Sequence, residues 1–551
     1  MNTQEFDCGI IGSGLAGLTV AIELAENGKK VGLFTKGKLG KNCSSELLAG
    51  GLSAVPVKNG KTVNDTYALH VEDTIKAGKE LNDLATVKLC AEKFYPEVID
   101  WLTKKGVRFD KADNEIGYSL HSEGGHSSKR VFHVRDETGK EIMRVLGGIV
   151  KKHKNIKVFE NHLAIDLITK NWMKKTKGKD ECYGFYVYDK IKNKVKTISC
   201  KGTFICTGGI GKVFSFTSNP DTATGDGFAI AYRAGLELAN MEFIQFHPTV
   251  FYDKDAQKEG ERRFLLTEAL RGAGAILKNA KSAKKDFVLN YDKDGSKATR
   301  DITTRAEDEE MRRNGLEHVW LDCTKIPQAK LKKEFKNAYE FCLSKGIDLT
   351  KEPVPVMYAE HYSNGGVVVN KNGETKTNNC YVIGETSYTG LHGATRLASN
   401  SGPECVLFGR IAAKHFVEKK NAGIVKVPLW KEFGTKQRDE KTIEYYWEAV
   451  RRTMNSLCGM SRNQQRLWAA KEIIESVNKG INEFYWNYNV TKDFLEVRNI
   501  AIIAKIIVEG ALFRKESRAC HYREDFTKQN KNFAGLSIMS KDKKTKIRKV
   551  K

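Results

Sequence analysis

An apolar run ending at Gly12, the spacing Gly12-x-Gly14-x-x-Gly17, and a stretch of helical apolar period follow one another within residues 5–36 of this 551-residue chain. No other segment constrains the fold as strongly. Glycines at these three places let a strand turn tightly into a helix, let backbone approach a pyrophosphate, and let helix and strand pack closely. The pattern predicts a strand up to Gly12, a helix over Leu15–Glu26 stopped by Gly28, and a second strand over Lys30–Thr35. That is a βαβ unit with phosphates at the positive helix end. The acid expected about 20 residues after the glycines, to hold a ribose, is missing. Thr35 and Lys36 stand there instead. A hydroxyl can still bond a ribose, but selectivity for a nicotinamide cannot be argued from this position.

Two further strand-to-glycine turns are visible. Thr203 to Gly211 reads TFICTGGIG, and Cys380 to Gly384 reads CYVIG, followed by Glu385. Several such turns returning to one ligand suit a long, extended dinucleotide, and so favour FAD over NAD.

Composition removes other classes. Forty per cent of residues are hydrophobic, enough for a large core, and length alone suggests about three or four structural units at roughly 150 residues each. Nine prolines and 48 glycines without a triplet period exclude proline-rich and collagen-like chains. Lys+Arg is 92 against Asp+Glu 68, a net charge of +24 that attracts anions. Most lysines are scattered, and no basic stripe carries interleaved aromatics, so nucleic acid is not an expected partner. The densest block, 541–551, holds seven basic residues and one acid and reads as a frayed end. None of the twelve cysteines has CxxC spacing, so neither zinc nor dithiol chemistry is supported, no metal is predicted, and reduced thiols in a cytoplasmic protein are expected. The longest apolar stretch, Ile500 to Phe513, is broken by Lys505 and Glu509, whereas a span needs about 20 apolar residues. No membrane span and no signal peptide are expected.

Between residues 207 and 404 the segments TGGIGKVFSFTSNPDTATGDGFAIAYRAG, FIQFHPT, LLTEALRGAGA, ATRDITTR, EHYSNGG and GETSYTGLHGATRLASNSGPE occur in order. Together they resemble the flavoprotein family of succinate dehydrogenase, fumarate reductase and L-aspartate oxidase, over nearly the whole chain. Three features incline the resemblance toward the L-aspartate oxidase branch. Respiratory members usually carry a histidine bonded covalently to FAD just before a glycine-pair turn. Here Ser44 takes that place ahead of Gly50-Gly51, which implies non-covalent FAD. The segment His121 to Ser127 resembles the oxidase stretch with a characteristic acid, here Glu123; the plainer reading of Glu123 is a surface loop acid. Residues 433–551, closing on RKESRACHYRED, resemble the oxidase helical domain.

The resemblance implies an α/β fold. A discontinuous Rossmann-type FAD-binding domain (1–240 and 363–432) would carry an inserted α+β capping domain (241–362) and a C-terminal helical domain (433–551). Cofactor contacts are implied at Gly12, Gly14, Gly17, Thr35, Lys36, Ser44, Gly50, Gly51, Thr207, Gly208, Gly209, Asp226, Glu385, Ser399, Asn400 and Ser401. His247 and Thr267 would hold one carboxylate of a four-carbon dicarboxylate, and His361 and Arg396 the other. An arginine fork fixes a carboxylate by two charge-assisted bonds. Arg300 matches the family's proton-transfer arginine, and Glu268 and Arg271 its relay to solvent. Arginine is an awkward base, so charge stabilisation by Arg300 is an equally good role; a purely structural pairing with Asp301 or Glu307 is the plain alternative. Glu123 would face the substrate ammonium. The implied reaction is oxidation of L-aspartate to iminosuccinate with oxygen or fumarate as acceptor, feeding quinolinate synthase and NAD synthesis. The alternative is a fumarate reductase or succinate dehydrogenase flavoprotein.

Overall fold

The structure, a computed structural model, describes residues 3–253, 262–420, 423–434, 436 and 439–550. At its centre lies a seven-stranded sheet. The strands Ile156–Phe159, Val31–Phe34, Gln4–Ile11 and Lys194–Ile205 run parallel in that order, and Cys380–Val382 adds a parallel neighbour to the end of the last. Register explains why the glycine turns converge. Ile11 is level with both Phe34 and Ile205, and Ile205 is level with Val382. Three glycine-containing turns therefore leave the sheet at one edge, the carboxyl end of its parallel strands, where such sheets bind ligands.

The first helix, Leu15–Glu26, buries ten of its twelve residues, so it is apolar all round rather than one-sided. It lies against the sheet, the helix Ser401–Glu418 and the helix Thr138–Lys152. Gly12 has φ +106°, and a Cβ there would stand 2.1 Å from the Cys206 carbonyl oxygen. A Cβ on Gly17 would stand 2.0 Å from the Gly12 carbonyl oxygen. Both positions need glycine for approach, as the spacing implied.

A second, antiparallel sheet orders Ile244–Phe251, Val354–Ser363, Val319–Asp322 and Ile276–Lys278, with the helix Arg300–Asn314 packed across its first strand. It has its own apolar core. Three long helices follow, Glu440–Leu457, Gln464–Asn487 and Lys492–Phe513, each started by a side-chain cap from Asp439, Asn463 and Thr491. Among the described residues no helix is long and apolar enough to cross a membrane.

The chain end departs from expectation. After Phe513 it returns to the first body, where Leu536–Met539 pairs with Leu238–Ala239 and with Lys546–Arg548 in a five-stranded sheet. Within the basic block Lys546–Arg548 is thus an edge strand rather than a frayed tail, and Arg548 Nη2 donates to Glu237 at 2.7 Å; Lys551 lies outside the described residues. Lysines along an exposed edge deter pairing with other chains, which is why the block reads as disorder from composition alone.

Arg514 anchors this return. It is fully buried, its Nε donates to Glu242 at 2.5 Å, its Nη1 to Glu516 at 2.9 Å, and its remaining protons go to the carbonyls of Phe533 and Gly535 and to Asn240 Oδ1. Removing one member of a buried ion group strands the others. Arg514→Met is expected to lose about 3–5 kcal/mol in urea unfolding, read as a lower midpoint with an unchanged slope.

Candidate active site

One continuous cavity runs from the glycine turns to the second sheet. Gly12, Gly14, Thr35, Lys36, Ser44, Gly50, Gly51, Thr207, Gly208, Gly209, Asp226, Glu385, Ser399 and Ser401 line its length. His247, Thr267, Glu268, Arg300, His361, Arg396 and Glu123 line its far end. Three expected residues do not reach it. Gly17 serves helix–turn packing. Asn400 is buried behind the wall, accepting from Ser53 Oγ at 2.5 Å and bonded to His70 Nε2 at 3.0 Å. Arg271 sits behind Glu268.

At the dinucleotide end the helix Leu15–Glu26 points its N-terminus into the cavity, with Gly14 extended before it and Ser45 Oγ accepting from Leu15 N–H at 2.9 Å. Thr35 is not free: Ser13 Oγ donates to it at 2.9 Å. Lys36 donates to Thr224 at 2.5 Å, Asp226 at 2.9 Å and Glu496 at 3.1 Å. Burial opposes the Lys36 charge, but Asp226 and Glu496 outweigh it and raise its pKa. Asp226 also accepts from Asn499 at 2.9 Å. So the helix Lys492–Phe513 closes this end, a contact between positions 460 residues apart that sequence reading missed. Glu385 reaches the cavity from the third glycine turn and accepts from Ser363 N–H at 3.0 Å. A Cβ on Gly209 would meet its carboxylate at 2.4 Å. A glycine-floored trough, a helix N-terminus and acids placed for hydroxyls fit FAD.

The far end is built by a bulged strand pair. Gln245 stands opposite Tyr362 and Phe246 opposite Glu360, which leaves His361 as the extra residue; a second irregularity follows His247. Bulges re-aim side chains, and here the His247 and His361 rings come within 5.2 Å. Thr249 N–H donates to His247 Nδ1 at 3.3 Å, leaving the neutral ring's proton on Nε2. His361 Nδ1 is paired with Ser218 Oγ at 2.8 Å. Burial, and then the nearby arginines, hold both imidazoles well below their usual range, so both are neutral donors at neutral pH.

Gln245, which the sequence did not single out, ties the arginines together. Its Oε1 accepts from Arg300 Nη1 and from Arg396 Nη2, each at 3.2 Å, while its Nε2 donates to the Arg396 carbonyl at 3.1 Å. Arg396 also lies 4.7 Å over the Tyr362 ring, and its buried Nε has no hydrogen-bond partner among the described residues. Burial, with Arg300's charge, lowers the Arg396 guanidinium to about 10, still protonated at neutral pH. Arg300 Nε donates to Glu268 Oε2 at 2.5 Å, and Arg271 Nη2 stands 3.4 Å from Glu268 Oε1. Arg300 therefore pairs with neither Asp301 nor Glu307. Glu123 is no surface acid: its side chain is 8% exposed, inside the cavity. Ser399 donates to it at 2.6 Å, and His121 lies 3.7 Å away. Burial pushes the Glu123 carboxyl up, but His121, Ser399 and Arg300 together bring it down to about 2.

This arrangement was compared with known proteins. Residues 7–401 match the family model described as FAD binding domain, and residues 447–551 the one described as fumarate reductase flavoprotein C-term. L-aspartate oxidase 1 of Ralstonia nicotianae is 41% identical over 527 residues, covering 95% of this chain and 96% of that protein. A chloroplastic L-aspartate oxidase of Nicotiana tabacum is 36% identical, covering 95% of this chain and 82% of that one. The chain belongs to the L-aspartate oxidase family. It is an FAD-dependent oxidoreductase. The fold is shared with Escherichia coli quinol fumarate reductase, at TM-score 0.85, 24% identity and coverage of 100% and 97%.

In this family setting Ser44 bears on how the flavin is held. It lines the cavity with its hydroxyl 3.5 Å from Asn219 Oδ1, and it has no nucleophilic nitrogen. Acid precipitation should therefore release all flavin to the supernatant; a yellow, fluorescent pellet after washing would contradict this.

Proposed function

We propose that this chain oxidises L-aspartate to iminosuccinate, with oxygen or fumarate as acceptor. The observation that carries this is an ionised carboxylate, Glu123, buried in a cavity otherwise built for anions. Arg300 and Arg396 with two neutral histidine donors suit a dicarboxylate; an added negative charge suits a dicarboxylate that also bears an ammonium. Succinate and fumarate have no such group, and for them Glu123 is a repulsive neighbour.

In this reading His247 and Thr267 donate to one carboxylate, and His361 and Arg396 to the other, which fixes the chain of the substrate across Arg300. Gln245 keeps Arg300 and Arg396 at a set separation. A carboxyl held near 2 is a weak base, so Glu123 recognises the ammonium rather than removing its proton. Arg300, braced by Glu268, stabilises charge at the reacting carbons and in the fumarate direction passes a proton, with Arg271 behind Glu268. FAD held along the glycine turns and Glu385 would supply the hydride acceptor for the substrate Cα. The trough holding it comprises residues 1–240 and 363–432, with the cap over 241–362 excluding water and the helical region from 433 closing the Lys36 end. Twelve free cysteines fit a reducing, cytoplasmic setting. By chemistry, iminosuccinate is a reactive imine that a quinolinate synthase would consume toward NAD.

Under argon, L-aspartate should bleach the flavin spectrum and succinate should not; the reverse result would favour a succinate dehydrogenase. Glu123→Gln keeps size and removes charge. Its kcat/KM for aspartate should fall about 10–150-fold, the span of one charge-assisted bond. Fumarate reduction should stay within about threefold or improve, since that substrate has no ammonium to lose. Steady-state kinetics of both reactions at equal FAD content would decide. An equal loss in both would assign Glu123 to holding the loop instead.

A further inference from the structure

The relay implied by Arg300, Glu268 and Arg271 stops inside the protein. Arg271 is 1% exposed; its Nη2 faces Glu268 Oε1 at 3.4 Å, and its Nε has no hydrogen-bond partner among the described residues. Its Nη1 donates to the carbonyls of Ser296 at 2.6 Å and Ala298 at 3.3 Å. The Thr303 hydroxyl donates to that same Ala298 carbonyl at 3.1 Å. Thr303 belongs to the helix Arg300–Asn314, and four residues on, along the same face, stands Glu307. Glu307 is 0% exposed, and its carboxyl oxygens make no well-formed hydrogen bond among the described residues, although the Tyr358 backbone N–H lies close enough to favour its charged form. Two neighbouring buried side chains thus present polar atoms, Arg271 Nε and the Glu307 carboxyl, that the described residues leave incompletely satisfied. Buried polar groups of this kind are normally satisfied, and water is what satisfies them where no side chain does.

We propose that Glu307 is the next proton holder beyond Arg271, joined to it through buried water, and that it resupplies the relay when a proton has passed to the substrate. The proposal rests on the reading of Arg300, Glu268 and Arg271 as a proton relay. Saturating the double bond of fumarate forms two C–H bonds and consumes one hydride and one proton. As Arg300 gives up that proton, the ionised Glu268 carries one to it from Arg271, Glu307 gives its carboxyl proton to Arg271, and Glu307 recovers one from bulk water. A guanidinium can pass a proton on only if it is promptly given another, so a neutral acid next to Arg271 is the useful neighbour. Burial, helped by Asp308, pushes the Glu307 carboxyl well above its usual range against the pull of Arg271 and of the Tyr358 backbone N–H, so it carries a proton at neutral pH. The other titratable neighbours are Tyr358, on the strand packed against this helix, and Asp286, which faces Arg271 from the segment before Ser296. A buried acid without a partner lowers stability, so a packing role does not account for it.

The test uses full-length, FAD-loaded protein and four variants: Glu307→Gln, Glu307→Met, Asp286→Asn and Glu268→Gln. Fumarate reduction by a viologen donor is followed in H2O and D2O, together with flavin content and Tm. Both Glu307 variants are expected to lower kcat at least about tenfold and to raise the solvent isotope effect. KM for fumarate should stay within about twofold, and Tm should be unchanged or, for Met, higher. Unchanged kcat and isotope effect in the Glu307 variants, with a slow Glu268→Gln, would overturn the proposal. So would a slow Asp286→Asn beside normal Glu307 variants, which would put the exit at Asp286. A loss of kcat that tracks lost flavin and lower Tm would make Glu307 structural and equally overturn it. A normal rate in Glu268→Gln would fail the relay reading itself.

Discussion

Arg271, Arg300 and Arg396 are buried around one small space, and keeping three like charges out of water is the demand that shapes the site. Each guanidinium taken from water into protein costs several kcal/mol unless opposite charge and hydrogen bonds replace the solvent. Glu268 sits between Arg300 and Arg271 and serves both. Gln245 accepts from Arg300 and Arg396 with one oxygen. Glu123 adds a second carboxylate at the far wall. Burial raises the Glu268 carboxyl, but the two arginines outweigh it and keep it ionised. Positive charge still exceeds negative, and the remainder is what an incoming dicarboxylate finds. Burial, reinforced by the same field, drives His247 and His361 to the neutral state, so they act as directed donors that add no further charge.

Such a cluster has to be assembled from both bodies of the protein. His247, Gln245 and His361 come from the bulged strand pair of the cap, and Arg300 from the helix packed on it. Arg396, Ser399 and Glu123 come from the flavin-binding body, and a Cβ on Gly50 would touch Glu123 at 2.3 Å. Neither body holds a complete set of countercharges. Separating them would leave Arg396 without Gln245 and Gln245 without Arg396, both buried. The cap is therefore held down by polar satisfaction as well as by apolar contact, and a bound dicarboxylate would tighten the same seam.

The parts legible in the sequence are those encoded locally. The spacing of Gly12, Gly14 and Gly17 with its apolar flanks gives the strand, turn and helix with their boundaries, because tight turns need glycine at fixed offsets. The two later glycine turns show that several strands return to one edge. Motif resemblance named His247, Arg300, His361 and Arg396 in separate segments, and the fold brings them into one cavity. What stayed hidden depends on pairing between distant residues. Gln245 looks like any strand glutamine until Arg300 and Arg396 are placed around it. Lys36, where a ribose-binding acid was expected, makes sense only once Asp226, Glu496 and Asn499 are seen beside it. The block from Lys541 looked disordered because charge hid the strand Lys546–Arg548, and only Leu536–Met539 across from it defines the pairing.

These long-range pairings also decide which parts of the molecule can change independently. The helix Lys492–Phe513 touches the cofactor end through Glu496 and Asn499, and its last turn leads into Arg514, which is bonded to Glu242 at the start of the cap segment. One rigid element therefore spans from the Lys36 end of the trough to the root of the strand carrying Gln245 and His247. Helices transmit displacement along their axis better than they absorb it, since every turn is hydrogen-bonded to the next. A shift at Glu496 would move Arg514, and with it the buried ion group on which the cap strand begins. The C-terminal helices are thus part of the site's geometry, even though none of their side chains lines the cavity.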